Sequence, residues 1–105
     1  MSGFDEREKA QEAKFAHDAQ LQFKAEARRN KLLALWAASL IKHPDPDAYV
    51  GEVIASDFEE AGDDDVFRKV SADLLAADQK ISDEELRAKM NEFMPEARDQ
   101  VLSEA

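Results

Sequence analysis

Residues 32–50 read Leu32-Leu33-Ala34-Leu35-Trp36-Ala37-Ala38-Ser39-Leu40-Ile41-Lys42-His43-Pro44-Asp45-Pro46-Asp47-Ala48-Tyr49-Val50, and this stretch decides the fold class. Leu33, Trp36, Ala37 and Leu40 fall on one face at helical spacing. His43-Pro44-Asp45-Pro46 then stops the helix, because proline disfavours helical geometry in the residue before it. Asp45 is placed to cap a second helix with Pro46 at its first position. A helix, a break, a cap and a new helix follow in a short span, as in a helical bundle with short links.

The second helix presents Tyr49, Val50, Val53, Ile54 and Phe58 on one side, and Gly62 is its natural stop. Asp63, Asp64 and Asp65 open a third helix, where carboxylates favour the positive end of the helix dipole. Its stripe is Val66, Phe67, Val70, Leu74 and Ala77. Ser82 and Glu85 form a capping box for the fourth helix, with Ile81 stapling against Leu86. Leu86, Met90, Phe93, Met94, Ala97 and Val101 make its face, and Pro95 is expected to kink this helix or divide it in two.

Toward the N-terminus, Asp5 to Lys42 is rich in strong helix formers and holds no Pro or Gly, and Asp5 with Glu8 makes a capping box. Apolar density changes inside this stretch. Before position 20 the large apolar side chains are Met1, Phe4 and Phe15; beyond it come Leu21, Phe23, Leu32, Leu33, Leu35, Trp36, Leu40 and Ile41. Residues 1–19 therefore have helix propensity without a core-facing stripe, and an isolated helix of that length is marginal in water. The expected architecture is all-α: a four-helix bundle over residues 20–105, preceded by a mobile, helix-prone arm over residues 1–19.

Composition narrows the function. The chain has 105 residues, 44% of them hydrophobic, with 24 acidic and 14 basic side chains and a formal net charge of −10. That bulk acidity counts against nucleic acid, whose phosphates demand a basic footprint, and it favours a monomer in solution. There is no Cys, which excludes disulfides, cysteine-bound zinc and thiol nucleophiles. No apolar stretch approaches the roughly 20 residues that cross a bilayer. Met1-Ser2-Gly3-Phe4-Asp5-Glu6 lacks the basic start and apolar run of a secretory signal, so a cytoplasmic protein is expected. The charge is uneven: residues 1–31 sum to +1, whereas residues 43–65 hold nine acidic groups and no Lys or Arg.

Candidate sites are few. Ile81-Ser82-Asp83-Glu84-Glu85-Leu86 imitates the end of a calcium-binding loop, but Leu74 and Ala76 would occupy its first ligand positions, and the capping box is the better reading. Asp63-Asp64-Asp65 reads as a helix start, with weak Mg²⁺ or nucleotide binding as the alternative. His17 and His43 have no second His at ligand spacing and read as solvated. Arg28, Arg29 and Lys31 read as solvated charge, or as a cluster meeting an acidic partner or the chain's own acidic body. Trp36 and Phe23 read as core. No convergent catalytic site is visible, so no enzymatic activity, metal or cofactor is expected.

The arm is the remaining candidate. It mixes opposite charges, with Asp5 and Lys9 at favourable i,i+4 spacing. Phe4 and Phe15 lie about three helical turns apart, and so project from nearly the same side. Ala10, Ala13, Ala16 and Ala19 give closely approachable surfaces. From the residues alone, the arm reads equally as a helix folding in a partner's groove and as a solubilising tail.

The chain also resembles a known family. Phe4-Asp5-Glu6-Arg7-Glu8-Lys9-Ala10 and Glu12-Ala13-Lys14-Phe15-Ala16-His17-Asp18 are similar to the start of the ζ subunit of alphaproteobacterial F-type ATP synthases. Phe23 to Leu33, Trp36-Ala37-Ala38, Asp57-Phe58-Glu59-Glu60, Asp65 to Val70 and Arg87-Ala88-Lys89-Met90 extend the resemblance in order along the chain. It implies a small inhibitor of ATP hydrolysis by the synthase's catalytic sector, a four-helix bundle with an inhibitory N-terminal segment, peripheral to the inner membrane through the enzyme. By analogy with the mitochondrial inhibitor protein, that segment would wedge between catalytic and non-catalytic nucleotide-binding subunits and the central stalk. The site residues implied are Phe4 and Phe15 as anchors, with Asp5, Glu6, Arg7, Glu8, Lys9, Ala10, Glu12, Ala13, Lys14 and Asp18 as further contacts. The reading of another class is an acidic helical adaptor, or a bundle binding nucleotide or Mg²⁺ weakly, with residues 43–65 as its face.

Overall fold

The computed structural model describes residues 18–58 and 62–104. Four helices carry them: α1 (Ala19–Ile41), α2 (Pro46–Ser56), α3 (Asp64–Ala76) and α4 (Asp83–Glu104). They form the expected all-α bundle. The expected arm lies outside the described residues except for Asp18 and Ala19.

α1 is the central element, packing most extensively on α4 and α2 and also touching α3. Because it is covered from several sides, its buried face is wider than one stripe: Leu33, Ala34, Ala37 and Ala38 are all sealed from solvent. Alanines at these positions let the neighbouring helices approach closely. Tyr49 and Val53 of α2, Val66, Val70 and Leu74 of α3, and Leu86 and Met90 of α4 complete this main core. Trp36, Leu40, Ile81 and Phe93 pack against it, half-buried. A smaller cluster of Leu21, Ala25 and Val101, flanked by Met94 and Leu102, joins the start of α1 to the end of α4.

Local chemistry sets the helix ends. Asp18 is extended, at φ −115°, ψ 96°, and its carboxylate accepts from the Gln20 and Leu21 amides at 3.1 and 3.2 Å. The helix-forming run is thus interrupted at Asp18 instead of passing unbroken into α1, because the Asp side chain supplies the acceptor that an earlier carbonyl would otherwise provide. Asp45 caps α2 through the Ala48 amide at 3.2 Å, with Pro46 first in the helix, as the sequence predicts. Ser82 accepts from the Glu85 amide at 3.1 Å.

Two expectations about helix ends are corrected. α2 stops at Ser56, six residues before Gly62. The Ser56 hydroxyl donates to the Val53 carbonyl at 2.6 Å, and the Asp57 and Phe58 amides bond three residues back, which tightens the chain out of α geometry. Gly62, at φ +88°, serves instead to turn the chain into α3. Pro95 does not divide α4, which runs as one helix through it. Pro95 is exposed, and the helix buries Leu86 and Met90 before it and Ala97 and Val101 after it.

Candidate partner-binding surface

The geometry nearest the arm concerns how α1 is moored. Arg28 reaches from α1 to the end of α4, where it donates to Gln100 Oε1 at 2.9 Å and grips both carboxylate oxygens of Glu104 at 2.7–2.8 Å. The hydrogen bond from Arg28 holds the Glu104 carboxyl below its ordinary range. Beneath it, Leu21 and Ala25 bury against Val101. The point at which the arm enters the bundle is therefore fixed to α4 by both apolar and ionic contacts.

One turn further on, Arg29 and Asn30 are 2% and 0% exposed. Arg29 presents two parallel nitrogens to Asp63, at 2.7 and 3.2 Å, while its Nε donates to Asn30 Oδ1 at 2.8 Å. Asn30 in turn donates to Asp57 at 3.0 Å. This network ties α1 to both banks of the loop joining α2 and α3. It also explains why Asp63, at the N-cap of α3, makes no capping bond: its carboxylate is turned toward the guanidinium. That hydrogen bond pulls the Asp63 carboxyl below the ordinary range. Asp57 is shifted the other way, chiefly by burial, with repulsion from Asp65 and Asp63 adding to it against the Asn30 bond and the Arg29 charge.

Of the basic cluster, Arg29 is taken out of solvent by the acidic loop of the same chain and half-buried Arg28 pairs with the end of α4, whereas Lys31 stays exposed. The carboxylates of the Asp63–Asp65 run are likewise engaged separately. Asp63 pairs with Arg29, Asp64 with Arg87 at 2.7 Å, and Asp65 is 2% exposed, accepting from the Val66 amide at 2.8 Å.

A second polar cluster joins the hairpin to α3. Tyr49, 1% exposed, donates to Asp73 at 2.9 Å, and Lys69 bridges Asp73 at 2.8 Å and Glu52 at 3.0 Å. Burial is the main reason the Tyr49 hydroxyl is pushed well above the ordinary phenol range. His43, expected in solvent, is half-buried here: its Nδ1 accepts from the Asp45 amide at 3.0 Å and its ring tilts against Tyr49.

Two aromatic side chains expected in the apolar interior stand in solvent instead. Phe23 is 57% exposed and Phe58 70%. Phe23 lies on the side of α1 away from Leu21 and Ala25, and Phe58 has been swung off the α2 face by the tightened turn after Ser56. With Ile54 and Ala27 they line a shallow groove between α1 and the end of α2, rimmed by Glu26 and Asp57. The signal for Phe23 was present in the sequence, two residues out of step with the stripe through Leu21 and Ala25. For Phe58 no such signal existed.

Of the site residues implied by the sequence, Asp18 alone is described, as the cap of α1. Phe4, Asp5, Glu6, Arg7, Glu8, Lys9, Ala10, Glu12, Ala13, Lys14 and Phe15 lie outside the described residues, as does His17. Among the described residues no helix is long and apolar enough to cross a membrane. The family model for ATPase inhibitor subunit zeta matches residues 1–100. No curated protein matches the chain at a significant level.

Proposed function

The chain belongs to the ATPase inhibitor subunit zeta family, and from that premise we propose that it restrains ATP hydrolysis by the catalytic sector of an F-type ATP synthase, with residues 1–19 as the inhibitory element and the bundle as their carrier. The observation that carries this reading is the extent of the family match, which takes in the arm together with the bundle. The protein acts by binding and not by catalysis, and it sits wherever the synthase presents its catalytic sector.

The mooring of α1 supports a division of labour. Starting a helix in isolation is costly, whereas extending an existing one adds a bond for each residue fixed. α1 is already formed and clamped to α4 through Arg28 and the Leu21–Val101 cluster. Helix formation in residues 5–17 within a partner's groove is then propagation from α1, opposed mainly by the Asp18 cap, which is worth about 1 kcal/mol. Phe4 and Phe15 enter apolar pockets at the junction of a catalytic subunit, its non-catalytic neighbour and the central stalk. Asp5, Glu6, Arg7, Glu8, Lys9, Glu12 and Lys14 make polar contacts there, and Ala10 and Ala13 permit close approach. Backward rotation is blocked, and forward rotation expels the arm.

The test is ATP hydrolysis by the isolated catalytic sector of the same organism, stripped of endogenous inhibitor and titrated with the full chain, with a Phe4→Ala/Phe15→Ala variant and with a chain lacking residues 1–17. Inhibition by the full chain, weakened at least tenfold in the double variant and abolished without the arm, is the expected result. Equal inhibition by all three would refute the assignment to the arm.

A further inference from the structure

Phe23 and Phe58 are contributed by different elements, yet they line one groove with Ile54 and Ala27. Neither ring belongs to the main core or to the smaller cluster, so packing of the bundle does not account for them. The groove's charged lining is Glu26 and Asp57, and it borders the stretch 43–65 that carries no Lys or Arg. Asp57 is pinned by Asn30 at 3.0 Å and is pushed up by burial and by neighbouring carboxylates, so an approaching cation would relieve it. The groove's position also matters. Phe23 follows the Asp18 cap by five residues, a rise of about 7 Å along α1.

We propose that the exposed aromatic surface around this groove is a second docking site for the synthase's catalytic sector, one whose rings pack against an apolar side chain flanked by Arg or Lys on the surface beside the cleft the arm enters. The proposal rests on the inhibitor reading above. An apolar centre with an acidic rim is complementary to such a surface. It opposes a second copy of this chain, because a two-fold contact would set Glu26 and Asp57 against the same residues on a chain of net charge −10. Docking there raises the effective concentration of the arm at its cleft, so that two modest contacts act together.

Three full-length proteins test this: wild type, Phe23→Ser/Phe58→Ser, and Glu26→Lys. Each is titrated against ATP hydrolysis by the catalytic sector, and direct binding to it is measured by surface plasmon resonance. Both positions are exposed, so the double variant should keep its helical circular dichroism and melting temperature. It is expected to raise the half-inhibitory concentration about tenfold or more while leaving the extent of inhibition at saturation unchanged. Glu26→Lys is expected to weaken binding severalfold at low salt and less at high salt. If wild type inhibits and the double variant does so at the same concentration, the groove is not a docking site and the arm assignment stands. If wild type neither binds nor inhibits, both readings fall. If the variants instead abolish a concentration-dependent dimer seen by sedimentation, the groove is a self-association surface and the proposal is overturned.

Discussion

Arg29 joins α1 to the loop between α2 and α3, reaching Asp63 and Asn30 and, through Asn30, Asp57. Arg29→Ala is expected to lower unfolding free energy by about 2–3 kcal/mol, since it leaves the buried Asn30 oxygen without its donor and empties the space of a buried side chain. Arg29→Lys should lose a smaller part, because an ammonium cannot reproduce the parallel two-nitrogen contact. The two loop carboxylates respond to acid in opposite senses. Asp63 has a depressed pKa in the folded protein, so its contribution is present above the ordinary aspartate range and is lost as pH falls through the folded value. Asp57 is raised, so the folded state takes up its proton more readily than the unfolded chain, and falling pH through that window adds stability. Urea unfolding at pH 7 and pH 4 should therefore show Asp63→Asn weakened at pH 7 with a shallower acid loss, and Asp57→Asn unchanged or stronger at pH 7. Asp18 separates two roles. Asp18→Ala is expected to cost about 1 kcal/mol of stability through the lost cap, while inhibition holds or strengthens because α1 extends more easily. Weaker inhibition would make Asp18 a direct partner contact.

At the scale of elements, two helices end on residues whose backbone favours glycine. Lys42 lies at φ 55° after α1 and Asp78 at φ 58° after α3. In both, the following amide reaches five residues back around the turn, His43 to the Ala38 carbonyl at 3.0 Å and Gln79 to the Leu74 carbonyl at 2.9 Å. A left-handed conformation costs a residue with a Cβ roughly 1 kcal/mol or more. Asp78→Gly is expected to raise stability by about 1 kcal/mol, since it also removes an anion from the negative end of α3. Lys42→Gly should gain less, because the lysine it removes suits the end of α1. Thermal melts of the two variants would show this order. Within α4, Pro95 lacks the amide that would bond four residues back. As it is exposed, Pro95→Ala is expected to raise the melting temperature through roughly 1–3 kcal/mol of recovered helix stability.

Across the whole molecule, two apolar clusters of unequal size imply two tiers of stability. The main core joins all four helices, whereas the Leu21–Ala25–Val101 cluster holds only the ends of α1 and α4. Hydrogen exchange is expected to show amides near residues 21–28 opening well before those of residues 33–41. Val101→Ser should widen that gap, loosening the arm's mooring and weakening inhibition, while the main core keeps its protection. A uniform rise in exchange over α1 would show that the molecule opens as a single unit.

Helix type, the break and new cap at Pro44–Pro46 and most core positions followed from the sequence, because they depend on spacing, propensity and caps acting over a few residues. The arm's lack of an apolar stripe and its family resemblance were legible for the same reason. Only the folded chain decided that Arg29 leaves solvent and Arg28 bridges to α4, that His43 packs on Tyr49, and that Asp63 forgoes capping to meet Arg29. It also decided that Phe58 leaves the α2 face and lines one groove with Phe23. Most of these depend on which other segment lies opposite a residue. Local periodicity reports the side of a helix on which a side chain lies, but not the charge or ring that will be brought to face it.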